Sequence, residues 1–132
     1  MSPILNTERV AFVSLAIGEG APSDIPGTAI IGTFREPEGL TVLLELGVAE
    51  QFNLQISFRA AWITLLLRPD LTSTGLTAAF SGALGDAGIS CNIVAGAYHD
   101  HIFVPLEAAD AAMNILHQLR RDAGNGDTPT IQ

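Results

Sequence analysis

Three consecutive residues, His99-Asp100-His101, concentrate the most chemical potential in this 132-residue chain. Two imidazoles and a carboxylate are donor types of a zinc site, and they would serve a metal-binding protein or a small metal-dependent enzyme. Residues 99 and 101 share a face only if a strand runs through them, and the sequence places a turn at His99-Asp100. The remaining histidine, His117, lies far along the chain. The alternative reading has Asp100 capping the turn and the histidines hydrogen-bonding across a hairpin.

A second group is Thr74-Gly75-Leu76, where a strand leads into a helix. The first N–H groups of a helix lack internal partners and attract anions. A glycine lets a ligand approach the backbone. A carboxylate suits that place; a capped helix with a turn glycine is the plainer alternative. A third candidate is Asn92. Asn92 is polar inside an apolar strand and needs a partner there. It stands near the strand's start, and a strand start beside a helix N-terminus would make a ligand corner.

Covalent chemistry finds no equipment. Ser81 and Ser90 have no histidine–acid partners at informative spacing, and no Gly-x-Ser-x-Gly or phosphate-cradling glycine loop occurs. The chain has no lysine, which removes Schiff-base chemistry. Glu36, Glu38 and Glu45 read as a solvated face. The expectation is a protein that is not an enzyme, with no catalytic residue, no resident metal and no cofactor.

Six arginines face 14 acids, for a formal net charge of −8. Nucleic acids and anionic membrane surfaces are repelled by such a chain. Cys91 is the single cysteine, so no internal disulfide forms, and its apolar setting reads as an inert thiol. No charged start with an apolar block is visible, and the longest apolar run, 60–67, is too short to span a membrane. A cytoplasmic protein is expected. With 48% hydrophobic residues in a short chain, some apolar surface is expected in a homodimer interface.

The elements that position these groups follow from hydrophobic period and turn chemistry. Strands are expected at 10–16, 28–34 and 40–46, separated by the loop 18–27 and the turn Glu36-Pro37-Glu38-Gly39. A short helix follows at 48–52. The next strand, 61–67, ends at Pro69; Thr72, Ser73 and Thr74 offer capping hydroxyls. Leu76, Ala79, Phe80, Ala83, Leu84 and Ala87 form a helical stripe that Gly88 closes. A strand at 89–98, the turn at His99-Asp100 and a strand at 102–104 come next. A helix over 106–121 carries Leu106, Ala109, Met113, Leu116 and Leu119 on one face, with Glu107 at its start and Arg120 and Arg121 at its end. The tail, 122–132, reads as disordered. Both faces of the 61–67 strand are largely apolar, so helices must cover one face and something else the other.

The order strand–helix–strand–strand–helix is most of a ferredoxin-like βαββαβ unit. A hairpin followed by a helix occurs in both halves, a hint of internal duplication. The stretches Ala61-Trp62-Ile63-Thr64-Leu65, Gly75-Leu76-Thr77-Ala78-Ala79, Gly88-Ile89-Ser90-Cys91-Asn92-Ile93-Val94-Ala95-Gly96 and Tyr98-His99-Asp100-His101-Ile102-Phe103-Val104-Pro105 resemble the small bacterial ACT-domain proteins. That family is related to the ACT units of aspartate kinases and of the arginine sensor CASTOR. Phe34-Arg35-Glu36 and Glu38-Gly39-Leu40-Thr41 are similar to its N-terminal hairpin.

The resemblance covers about residues 30–120. It implies an α+β protein of tandem ACT-like ferredoxin folds, an antiparallel sheet with helices on one face. The implied division is an N-terminal half at 1–56, an ACT domain at 57–121 and the tail. It also implies amino-acid binding at interfaces between units, with Thr74, Gly75, Leu76, Ser90, Asn92 and Ile93 as contacts and Gly75 as the ACT-type glycine. Three departures stand out: few residues precede the first strand, the 18–27 loop is unlike the family's, and Ala97 stands where an aromatic is common. The expected function is therefore a regulatory or sensor protein for a small amino acid. The alternatives are the metal reading above and a ligand-free dimerising module.

Overall fold

The computed structural model describes residues 3–20, 22–66 and 73–124; of residues 73–76, 123 and 124 it describes the helical backbone alone. The strands are β1 (Ile4–Ala16), β2 (Ile30–Glu36), β3 (Gly39–Glu45), β4 (Ile56–Leu66), β5 (Asn92–Ala95) and β6 (His99–Pro105). The helices are α1 (Leu46–Gln51), α2 (Ser73–Asp86) and α3 (Ala109–Gly124), with 3-10 turns at Gly27–Ala29 and Leu106–Ala108. Hydrogen-bonded neighbours in the six-stranded antiparallel sheet run β2-β3-β1-β4-β6-β5. This is the tandem α+β fold that the resemblance implies.

Two compact units divide the chain: an N-terminal unit, 7–60, and a C-terminal unit made of 1–6 and 61–132. β1 and β4 contribute one end to each. The N-terminal unit thus holds the order β2-β3-β1-β4 and the C-terminal unit the order β1-β4-β6-β5.

In the N-terminal unit, alternation decides which residues go inside. Ala11 and Val13 of β1 pair with Leu44 and Val42 of β3, and all four are buried. Leu46 and Ala49 of α1 are buried with them. The hairpin forms where turn chemistry places it, with Pro37-Glu38 as its loop and Glu36 paired with Gly39. Glycine is required at 39 because a Cβ there would stand 2.0 Å from the Leu15 carbonyl oxygen. Just beyond α1, Asn53 takes a left-handed φ of 54° while the Leu54 N–H reaches the Ala49 carbonyl.

The C-terminal unit has the larger helices. Its core joins Ile63 and Leu65 of β4, Ile102 and Val104 of β6, Phe80 and Leu84 of α2, and Ala112 and Leu116 of α3. Both helices therefore cover the same sheet face. Burying each large side chain contributes about 1.5–3 kcal/mol, which is what holds α2 against the strands. Gly88, with φ of 76°, closes α2: the Ile89 N–H reaches the Leu84 carbonyl and the Gly88 N–H the Gly85 carbonyl. Ile89 then packs against the core, as this type of helix end favours.

Several boundaries differ from the sequence reading. β1 begins at Ile4 and β4 at Ile56, earlier than the apolar alternation indicates. The turn expected at His99-Asp100 lies instead at 96–98, closed by the Gly96 N–H on the His99 carbonyl at 2.8 Å. β5 stops at Ala95, and His99 and Asp100 are the first residues of β6. The tail expected from 122 overlaps the last turn of α3, and residues 125–132 lie outside the described residues. Outside them too lie Pro69 and Thr72; hydroxyl capping by Ser73 and Thr74 is likewise beyond the described backbone.

Candidate functional site

Thr74, Gly75 and Leu76 form the first turn of α2. The N–H groups of this turn lack helical partners by geometry alone. Ser90, Asn92 and Ile93 follow the other end of the helix. α2 has 14 residues. At 1.5 Å per residue it spans about 21 Å. The strand start and the helix N-terminus are therefore not neighbours within this unit, and the expected corner does not form there. Asn92 and Ser90 are exposed, and Ile93 packs against the core. Asn92 is thus on a wet face of the edge strand, where its amide needs no buried partner.

The continuation of β6 through residues 99–101 re-sorts the histidine cluster. His99 and His101 fall on one face, with rings 6.2 Å apart. Asp100 falls on the opposite face, with Ile102 and Val104. The metal triad therefore does not converge, and no group of three His, Cys, Asp or Glu placed for a metal occurs among the described residues. The hydrogen bond that His101 makes is not across the hairpin. The Trp62 Nε1–H of β4 donates to His101 Nδ1 at 3.1 Å, and Trp62 also stacks on Phe103. Nδ1 can accept only in the neutral imidazole. Burial, and then the charge of His99, hold the His101 pKa below its ordinary value, opposed by Asp100.

Asp100 caps no turn. It is 1% exposed, and neither carboxylate oxygen has a hydrogen-bond partner among the described residues. Burial pushes its pKa up, and the His101 charge offsets this in part. Its neighbour across the hairpin is Ala95. Sequence reasoning misses this residue as a buried charge because an acid beside two histidines near a glycine reads as turn chemistry. The signal that finds it is the period-two run Asp100, Ile102, Val104, which places a charge at a core position.

The connections fix which sheet end these groups occupy. β4 and β6 are antiparallel neighbours, so the end of β4 lies beside the start of β6. α2 follows β4 and returns to the start of β5, so its first turn is at the β4-end side and its C-terminus at the β5-start side. Asp100, the second residue of β6, is thus at the same end of the unit as the first turn of α2. Cys91 is half-buried; burial pushes its thiol pKa up, while a hydrogen bond with Ser81 lowers it. An open hollow of about 290 Å³ in the N-terminal unit is lined by Thr7, Glu8, Arg9, Glu45, Leu46 and Gly47. It contains none of the expected residues.

Six antiparallel strands in two four-stranded sets, with a β–α–β–β–α run in the second, define a protein of tandem ferredoxin-like units. Two family models, each described as an ACT domain, match the chain at residues 1–61 and 58–118. The chain belongs to the ACT-domain family. It is similar to a Vibrio cholerae protein of unknown function described as a possible transport protein. Identity is 44%, over 89% of this chain and 88% of that one, with a TM-score of 0.75. The fold is also that of an Agrobacterium tumefaciens protein at 16% identity, over 89% and 87% of the two chains, with a TM-score of 0.69. The regulatory subunit of aspartate kinase from Thermus thermophilus shares it at 14% identity, over 89% and 95%, with a TM-score of 0.60. No curated protein matches.

Proposed function

We propose that the chain is a non-catalytic regulatory protein that binds a small amino acid, with the ligand carboxylate on the N–H groups of Thr74, Gly75 and Leu76. The observation that carries this reading is the first turn of α2, whose amides have no partners within the helix and which follows β4 in an ACT unit. Ser90, Asn92 and Ile93 enter the reading only through a second copy, in a homodimer that brings the β5 start of one chain to the α2 end of the other. Exposed Leu66 and Val94 supply apolar surface for such a contact. We place the protein in the cytoplasm; among the described residues no helix is long and apolar enough to cross a membrane. The description of the Vibrio cholerae relative makes a transporter, as well as an enzyme, a candidate for the regulated partner.

Thermal unfolding in the presence of each standard amino acid tests the reading. A ligand at 100 times its Kd adds about 2.7 kcal/mol of stability. At least one amino acid is expected to raise the melting temperature in this way; the absence of any shift across the set would contradict the proposal.

A further inference from the structure

We infer that Asp100 is the receptor for the protonated amino group of the ligand whose carboxylate the α2 amides hold, so the site selects zwitterions over simple carboxylates. This deepens the reading above and rests on it. Native structures rarely leave a buried carboxylate without hydrogen bonds, and each such group calls for an explanation. Asp100 is 1% exposed, and both of its oxygens are orphaned.

Three structural explanations fail. Asp100 does not cap α2, because a capping carboxylate would show the N–H partners that its oxygens lack. Among the described residues it has no ion pair: the arginine salt bridge there joins Arg59 to Glu50. It is not part of a metal-binding cluster among the described residues, because His99 and His101 stand on the other face of β6 and no group of three His, Cys, Asp or Glu forms there. Packing does not require a charge either. The N-terminal unit fills the corresponding position, second in the returning hairpin strand, with Leu40.

What remains is a partner from outside. The same end of the unit presents N–H groups that attract an anion and a desolvated carboxylate that attracts a cation. An α-amino acid carries both charges a few ångströms apart. Burial makes the pairing selective, because a charged group with its counter-charge excluded from water is bound far more strongly than at an exposed site.

The test compares wild type and Asp100→Asn in thermal unfolding and calorimetric titration. Each standard amino acid is set against its des-amino carboxylic acid. The expected result has three parts. An amino acid that stabilises wild type loses its effect when its amino group is removed. Asp100→Asn binds it roughly 100-fold more weakly, as truncating one partner of a buried charge pair does. Without ligand, the variant melts at or above the wild-type temperature. Equal binding of the amino acid and its des-amino counterpart, or unchanged affinity in Asp100→Asn, overturns the inference and leaves the regulatory reading standing. A variant that melts far below wild type, or does not fold, also overturns it, since Asp100 then has a structural partner. No stabilisation of wild type by any amino acid removes the regulatory reading and this inference together.

Discussion

The two units solve the same packing problem with different amounts of helix. Between its first two strands the N-terminal unit has a loop and the three-residue 3-10 turn Gly27–Ala29; the C-terminal unit has the 14-residue α2. After its hairpin the N-terminal unit has the six-residue α1, against the 16-residue α3. At the second position of the returning hairpin strand, one unit places Leu40 and the other Asp100. One unit thus satisfies its interior with apolar groups and short connections. The other keeps a long helix whose first turn and a buried carboxylate lie at one end. The difference teaches that two units built on the same strand scaffold need not offer the same groups: the proposed site combines a helix start with a buried charge, and one unit has both.

This contrast can be broken experimentally. The largest effect is expected from Leu84→Ala, which removes a fully buried side chain between α2 and the sheet and should cost about 2–5 kcal/mol in denaturant unfolding. A cost under 1 kcal/mol would mean that α2 is not held by the core described here. Next is the reciprocal exchange at the matched positions. Asp100→Leu should stabilise by about 1–3 kcal/mol, because it removes an unsatisfied buried group. Leu40→Asp should destabilise, by a smaller amount, because it puts a charge on a half-buried position of the apolar face. Equal signs for the two changes would dissolve the comparison.

Asp100 also sets a pH dependence. Its folded pKa is raised by burial, so its contribution to stability is complete below the unfolded value of 3.8 and is lost as pH rises through the folded value. Asp100→Asn should remove this loss; an identical pH–stability curve in the variant would contradict the assignment. Smaller still is Gly88→Ala, about 1 kcal/mol, from forcing a side chain into a left-handed conformation at the end of α2. The smallest concerns His101. Its lowered pKa makes the Trp62 contact stable above the ordinary value of 6.5 and lost as pH falls through that value and the folded one below it. Trp62 is the single tryptophan, so its fluorescence should change over that range in wild type and stay flat in His101→Phe.

Much of the architecture was legible because the apolar period is strong where helices meet the sheet. Leu76, Ala79, Phe80, Ala83 and Leu84 announce α2, and Gly88 announces its end. The hairpin at Pro37-Glu38 follows from turn chemistry. The first six residues of β1 are hidden because Thr7, Glu8 and Arg9 dilute the alternation while strand pairing orders them anyway. The β5–β6 turn was misplaced because a His-Asp pair carries a turn signal that the extended start of β6 overrides. That one shift hid Asp100, since a residue read as a turn cap is not examined as a buried charge. The passage of β1 and β4 through both units depends on pairing between distant segments, which no local pattern reports. For the site, the α2 first turn was legible from Thr74-Gly75-Leu76, whereas Asn92 was assigned to the wrong end of the helix, because the direction of α2 puts the strand that follows it about 21 Å from the helix start.

The central claim is that the α2 end of the C-terminal unit, and not the polar hollow of the N-terminal unit, receives an amino acid. Backbone amide chemical shifts, followed while the standard amino acids are titrated in turn, test it most directly. The account predicts saturable shifts centred on Thr74, Gly75, Leu76 and Asp100 for at least one of them. Shifts centred on Thr7, Glu8, Arg9 and Gly47, or a spectrum that no amino acid changes, would contradict it.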